Sequence, residues 1–193
     1  MILEKALVRF SHFGIQKTTM NEIAEDMAIS KPSLYYYFPD KISLVLAVTE
    51  GILKDYLLQL HDKFETAADM LTAVFEMIDL RKTFFQKYFM LHISDFHHDS
   101  TFNNEAFRTL MLKGREEEIK IVEGLLAGGV QKAEIKDIDT DRIADLLIDA
   151  LMGINICVIA KQEKQLIPDG KGIEEASDKQ KELARIFLAG IKN

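Results

Sequence analysis

An all-α fold follows from three observations. Proline is scarce, limited to Pro32, Pro39 and Pro168; apolar residues recur at helical spacing along nearly the whole chain; and no strictly alternating run is long enough to outcompete those periods. The expected architecture is a set of three short helices over residues 1–45. A long helix then joins them without a flexible linker to a helical bundle over residues 46–193.

The first helix is expected from Ile2 to Phe13, closed by Gly14, a residue suited to a left-handed cap. Ile2, Leu3, Ala6, Leu7, Phe10 and Phe13 repeat at helical spacing and form its expected buried face. Thr19 followed by Glu22 is a capping box that starts a second helix, running to about Met27. Ser30 caps a third, with Pro32 in the first turn, where a missing amide donor costs little. Pro39 ends it near Phe38, and Asp40 caps the long helix, which runs to about Phe64. Further helices are expected near 67–80, 83–98, 103–129, 139–162 and 174–191. Their breaks fall at Asp99-Ser100, Gly128-Gly129 and Pro168-Asp169-Gly170.

Composition excludes several classes. The 193 residues are 48% hydrophobic and 28% charged, the balance of a folded protein. No apolar run approaches the ~18 residues of a spanning helix, so no membrane partner is expected. Glu4, Lys5 and Arg9 interrupt the first apolar pattern where a secretory signal would be uninterrupted. One cysteine, Cys157, allows neither an intrachain disulfide nor a cysteine-based zinc site, and a reducing cytoplasm is the expected compartment. No nucleophile elbow, phosphate-binding glycine loop or paired catalytic carboxylates are present, so neither an enzyme nor a cofactor is expected.

The net charge of -7 is distributed unevenly. Residues 1–45 balance Lys5, Arg9, Lys17, Lys31 and Lys41 against Glu4, Glu22, Glu25, Asp26 and Asp40. The deficit therefore lies in residues 46–193, which leaves the N-terminal face as the tolerable surface for a polyanion.

Two short capped helices joined through Ala28-Ile29, with another packed beneath, are the parts of a helix-turn-helix, here at roughly residues 19–38. Leu34 and Phe38, four apart, plug into the core. Tyr35, Tyr36 and Tyr37 step around the helix by about 100° each, so they cannot all be buried. Exposed phenols beside Lys31, Ser33 and Lys41 suit phosphate hydrogen bonds and contact with thymine methyls.

Phe10 through Gly14, Thr18-Thr19-Met20, Ile23-Ala24, the run Ser30 to Lys41 (SKPSLYYYFPDK) and Leu44 closely resemble the DNA-binding domain of tetracycline-repressor (TetR) family regulators. The resemblance covers about the first 48 residues; beyond them only general architecture is shared. It implies an N-terminal helix-turn-helix DNA-binding domain and a helical ligand-binding and dimerisation domain. It implies a homodimer on an inverted-repeat operator, acting as a repressor released by a small hydrophobic or aromatic effector. Thr19 would contact phosphate, and Asn21 a base or phosphate. Lys31, Pro32 and Ser33 would meet base edges and backbone, Tyr35 and Tyr36 would brace phosphates with Tyr37 beside them, and Lys41 would reach the backbone. Ala28 stands where glycine is usual, and alanine pays for a left-handed conformation.

The resemblance also implies an effector pocket in the aromatic-rich middle: Phe75, Phe85, Tyr88, Phe89, His92, Phe96, Phe107 and Met111. Phe85, Phe89, His92 and Phe96 share one helical face and suit a hydrophobic or aromatic ligand, or else simply fill the core. It implies a four-helix dimer interface from the last two helices of each chain, with Leu147, Leu151, Ile154, Val158, Leu183, Ile186 and Phe187. Helix 139–162 is too apolar for a one-sided surface helix.

Two other readings stay open. An activator or global regulator would use the same DNA-binding domain. A helical-bundle metalloprotein would use His92, Asp95 and Asp99, at i, i+3 and i+7, with His97 and His98 close by.

Overall fold

The computed structural model describes residues 1–88, 104–161 and 170–193. Among them the chain forms eight helices: α1 Ile2–Lys17, α2 Met20–Asp26, α3 Lys31–Tyr37, α4 Lys41–Thr66, α5 Met70–Lys87, α6 Glu105–Gln131, α7 Thr140–Lys161 and α8 Lys171–Ile191. The one β feature among these residues is an isolated antiparallel bridge between Ile135 and Lys192. None of the described helices is long and apolar enough to cross a membrane.

The described residues divide into two compact units. One comprises Met1–Tyr56 and Thr83–Gly114, the other Leu57–Lys82 and Arg115–Asn193. The two units interleave along the sequence.

In the first unit, Ala6, Phe10, Ile15, Ile23, Leu34, Leu44 and Val45 close a core that α1, α2, α3 and the start of α4 share. The expected apolar face of α1 is wider than the real one. Leu3 and Phe13 stand 37% and 55% exposed, because the helix kinks at Gly14 (φ 79°, ψ 161°) and Leu3 lies in its first turn. Ile15, after the kink, takes the buried place instead.

The second unit corrects three expected boundaries. No break separates residues 80 and 83: α5 runs unbroken to Lys87. Arg81 and Lys82 are good helix formers, tied to Glu118 on α6 and Glu174 on α8 at 2.7 and 3.0 Å. Nor does α6 stop at Gly128-Gly129. Gly129 is buried because the Met70 side chain and Ile135 come close to it, a packing use of glycine that leaves the helix intact to Gln131. The turn comes later, with Ala133 at φ 55°. The last helix starts earlier than expected, at Lys171, behind Gly170 at φ 54°. The expected break at Asp99-Ser100 lies outside the described residues.

Candidate nucleic-acid interface

The short helix pair is built by its caps. Thr19 Oγ1 accepts from the Glu22 amide at 3.3 Å, and Glu22 Oε2 accepts from the Thr19 amide and hydroxyl at 2.7 and 2.8 Å. Those bonds hold the Glu22 carboxyl below its ordinary range, the backbone donor contributing most. They also commit the Thr19 hydroxyl proton to Glu22 rather than to an external acceptor. Ser30 Oγ accepts from the Ser33 amide at 3.2 Å and lies 2.7 Å from the Ser33 hydroxyl, opening α3 with Pro32 in its first turn. Between the helices Ala28 sits at φ 53°, in the left-handed region expected to cost an alanine.

A single side chain anchors α3: Leu34 is fully buried, with Phe38 half-buried just beyond the helix. Everything else on the helix faces out. Tyr36 and Tyr37 are 84% and 63% exposed and meet edge to face at 5.2 Å. The less exposed Tyr35 carries the Lys31 ammonium 5.7 Å above its ring. Lys31, Pro32, Ser33 and, on α2, Thr19 and Asn21 are exposed as well. Lys41 donates from Nζ to the Gln16 carbonyl at 3.3 Å, next to Asp40, whose carboxylate accepts from the Ser43 amide and hydroxyl, each at 2.7 Å.

Such a surface suits a polyanion with readable edges. It offers one ammonium, hydroxyls and aromatic faces on a short helix, and α3 carries no acid. Two of the three acids of α2 are held: Arg9 on α1 pairs with Asp26 at 2.6 Å and Glu22 at 3.1 Å, while Glu25 is exposed. Sequence inspection missed that role of Arg9, counting it only as a charge. A cation on one helix and an i,i+4 acid pair on the next was the available signal.

The residues expected to meet an effector are dispersed. Phe89, His92 and Phe96 lie outside the described residues, as do Asp95, His97, His98 and Asp99. In the first unit Tyr88 and Phe107 are buried, Phe85 is half-buried and Met111 is exposed. Phe84, not among the expected residues, packs its ring against Tyr56 at 5.4 Å and Tyr88 at 5.6 Å. Phe75 falls in the second unit under two cations, Arg185 at 4.8 Å and Lys181 at 5.7 Å. The second unit also has a cleft of about 570 Å³. Its wall includes His61, Phe64, Ile121, Gly124, Leu125 and Gly128, and none of the expected residues. Gly124 and Gly128 leave open space where side chains would stand, the one sequence signal that pointed to it.

The expected association residues differ in how much surface they offer. Leu147 and Leu151 are fully buried in their own chain and Val158 nearly so. Ile154, Leu183 and Phe187 are half-buried, and Ile186 is 66% exposed. The outward apolar residues of α7 are instead Leu146, Met152 and Ile156, with Cys157 beside them.

Comparison with known proteins gives a consistent family. Residues 2–48 match the description "Bacterial regulatory proteins, tetR family". The HTH-type transcriptional regulator RutR of Escherichia coli K12 is 42% identical over 80 residues, which is 42% of this chain and 37% of that relative's length. A crystal structure of a transcriptional regulator from Cytophaga hutchinsonii is 29% identical with a TM-score of 0.88, covering 100% of this chain and 97% of the other. A tetR-family regulator from Mesorhizobium loti shares the fold at 18% identity and a TM-score of 0.75, over 100% and 95% of the two chains.

Proposed function

The chain belongs to the tetR family of bacterial regulatory proteins, and from that premise we propose that it is a ligand-responsive repressor that binds an inverted-repeat operator as a homodimer. The observation that carries the DNA-binding part is the one-sided anchoring of α3. Leu34 fixes the helix while Lys31, Pro32, Ser33, Tyr35, Tyr36 and Tyr37 face outward. Lys31 and Ser33 would read base edges, Pro32 would touch thymine methyls, and the tyrosines would brace phosphates. Asn21 and Lys41 would add contacts at the flanks, and Thr19 would hold the second helix's first turn against the backbone.

Association through α7 and α8 is supported by Leu146, Met152, Ile156 and Ile186, large apolar residues left 54%, 43%, 65% and 66% exposed. A twofold pair presents two recognition helices to major grooves roughly 34–36 Å apart, which is why the operator should be an inverted repeat.

A small hydrophobic or aromatic effector would act by favouring one separation of those helices; a ligand with equal affinity for both states shifts nothing. Phe85, Tyr88, Phe107 and Met111 remain the proposed contacts, all within the first unit. The long helix α4 is the proposed bistable element.

Footprinting on DNA upstream of the gene and its neighbours tests the reading. The expected result is a two-fold symmetric protected site. Absence of sequence-selective protection at any salt concentration would reject it.

A further inference from the structure

We propose that Arg9 is a positioning residue for DNA binding: from α1 it fixes α2 and partly offsets two of the three carboxylates that α2 would otherwise hold beside the phosphates. The proposal rests on the DNA-binding reading above. Glu22 and Asp26 lie one turn apart on α2, and one guanidinium serves both. Nε is 2.6 Å from Asp26 Oδ2, Nη2 is 3.4 Å from Asp26 Oδ1, and Nη1 is 3.1 Å from Glu22 Oε1. Its Cζ also lies 5.4 Å over the centre of the Phe13 ring. Only arginine provides several donors in one plane together with a face that stacks; lysine would satisfy one acid as a point charge.

The grip continues to the helix start. While one Glu22 oxygen takes Arg9, the other holds the Thr19 amide and hydroxyl, so α1 sets the first turn of α2 through a single carboxylate. Asp26, in the last turn, is held by the same cation, and its carboxyl lies below the ordinary range chiefly because of that bond. The two ends of α2, the helix on which α3 packs, are therefore referred to one residue of α1.

Stability alone gives little reason for this arrangement. Glu22 and Asp26 keep 38% side-chain exposure, where ion pairs contribute little to stability. Electrostatics gives a better one. Residues 1–45 balance five cations against five acids, so the segment has no surplus to spend on two open carboxylates. Removing the Arg9 charge unmasks both at once, on the helix preceding the recognition helix.

The test is fluorescence anisotropy with an operator duplex at about 0.1 M salt, using wild type, Arg9→Gln and the triple variant Arg9→Gln/Glu22→Gln/Asp26→Asn. Glutamine at position 22 still completes a capping box, so the triple variant keeps its helix start. Arg9→Gln is expected to weaken binding roughly tenfold, about one counterion's worth at this salt. The triple variant should recover most of that loss, although it restores none of Arg9's bonds; a purely structural role would not produce such rescue. Binding by folded Arg9→Gln within twofold of wild type would overturn the proposal, as would a triple variant as weak as the single one. Should Arg9→Gln fail to fold, Glu22→Gln/Asp26→Asn with Arg9 intact is read instead: tighter binding supports the proposal and unchanged binding overturns it. Failure of wild type to bind any duplex is a separate outcome, which removes the DNA-binding reading and this inference with it.

Discussion

Gln180 on α8 donates from Nε2 to the main-chain carbonyl of Leu151 on α7 at 2.8 Å, and both residues are buried. A polar side chain thereby fixes how two otherwise apolar helix faces meet, because sliding α8 would leave that donor unpaired in the core. Gln180→Leu should cost about 0.5–1.5 kcal/mol in urea denaturation, the ordinary net range for losing one hydrogen bond whose acceptor keeps its helical partner. The slope of the denaturation curve should not change. An unaltered midpoint would show that the bond does not contribute.

The first unit separates stability from recognition. Phe10→Ala empties a fully buried site and should cost about 3–5 kcal/mol. Tyr36→Ala removes a ring that is 84% exposed and should change stability by less than about 0.5 kcal/mol while weakening operator binding. Thermal melts beside anisotropy titrations check both. A Tyr36→Ala protein with full affinity would remove that ring from the interface.

Ala28 gives the opposite sign. At φ 53° an L residue is strained by about 1–2 kcal/mol, partly offset by the extra chain entropy a glycine would lose on folding. Ala28→Gly should therefore raise stability by a few tenths to about 1 kcal/mol. A lower melting temperature in the variant would contradict the conformation.

Acid should loosen the first unit. Glu22, Asp26 and Asp40 all titrate below their ordinary values, through Thr19, Arg9 and the Ser43 amide respectively. A depressed folded-state pKa means that the unfolded chain binds protons first on acidification. The stabilisation is therefore complete above the ordinary carboxyl values of 3.8 and 4.5 and disappears as pH falls through the lower folded ones. Melting temperature should be flat from pH 7 to about 5 and fall below that. Asp40→Asn should flatten part of the fall; an unchanged profile would remove Asp40 from the account.

The N-terminal segment was legible because its signals are local. Thr19 and Glu22, Ser30 and Pro32, and three consecutive tyrosines each declare their geometry within a turn or two. The second unit was less so. Gly129 reads as a helix stop in sequence, yet its cause is a contact with Met70, 59 residues earlier in numbering, which no local pattern encodes. Arg9 was overlooked for the same reason: its partners lie on another helix. On α7, apolar on nearly every side, periodicity cannot tell the face toward its own core from the face toward solvent.

That ambiguity yields the last prediction. Leu151 is fully buried whereas Ile156, farther along the same helix, is 65% exposed. A charge at Leu151 has to be buried without a partner inside its own chain, so Leu151→Glu should unfold the second unit rather than separate two folded chains. Ile156→Glu places its charge in water in the monomer and meets a cost only when a second chain covers it. Its melting curve at low protein concentration should match that of wild type, while sedimentation should show monomers where the proposed function has wild type as dimers. Operator affinity should fall with it, since one recognition helix covers only a half-site. If Ile156→Glu still sediments as a dimer, and Leu146→Glu does too, the apolar face of α7 is not where the chains meet.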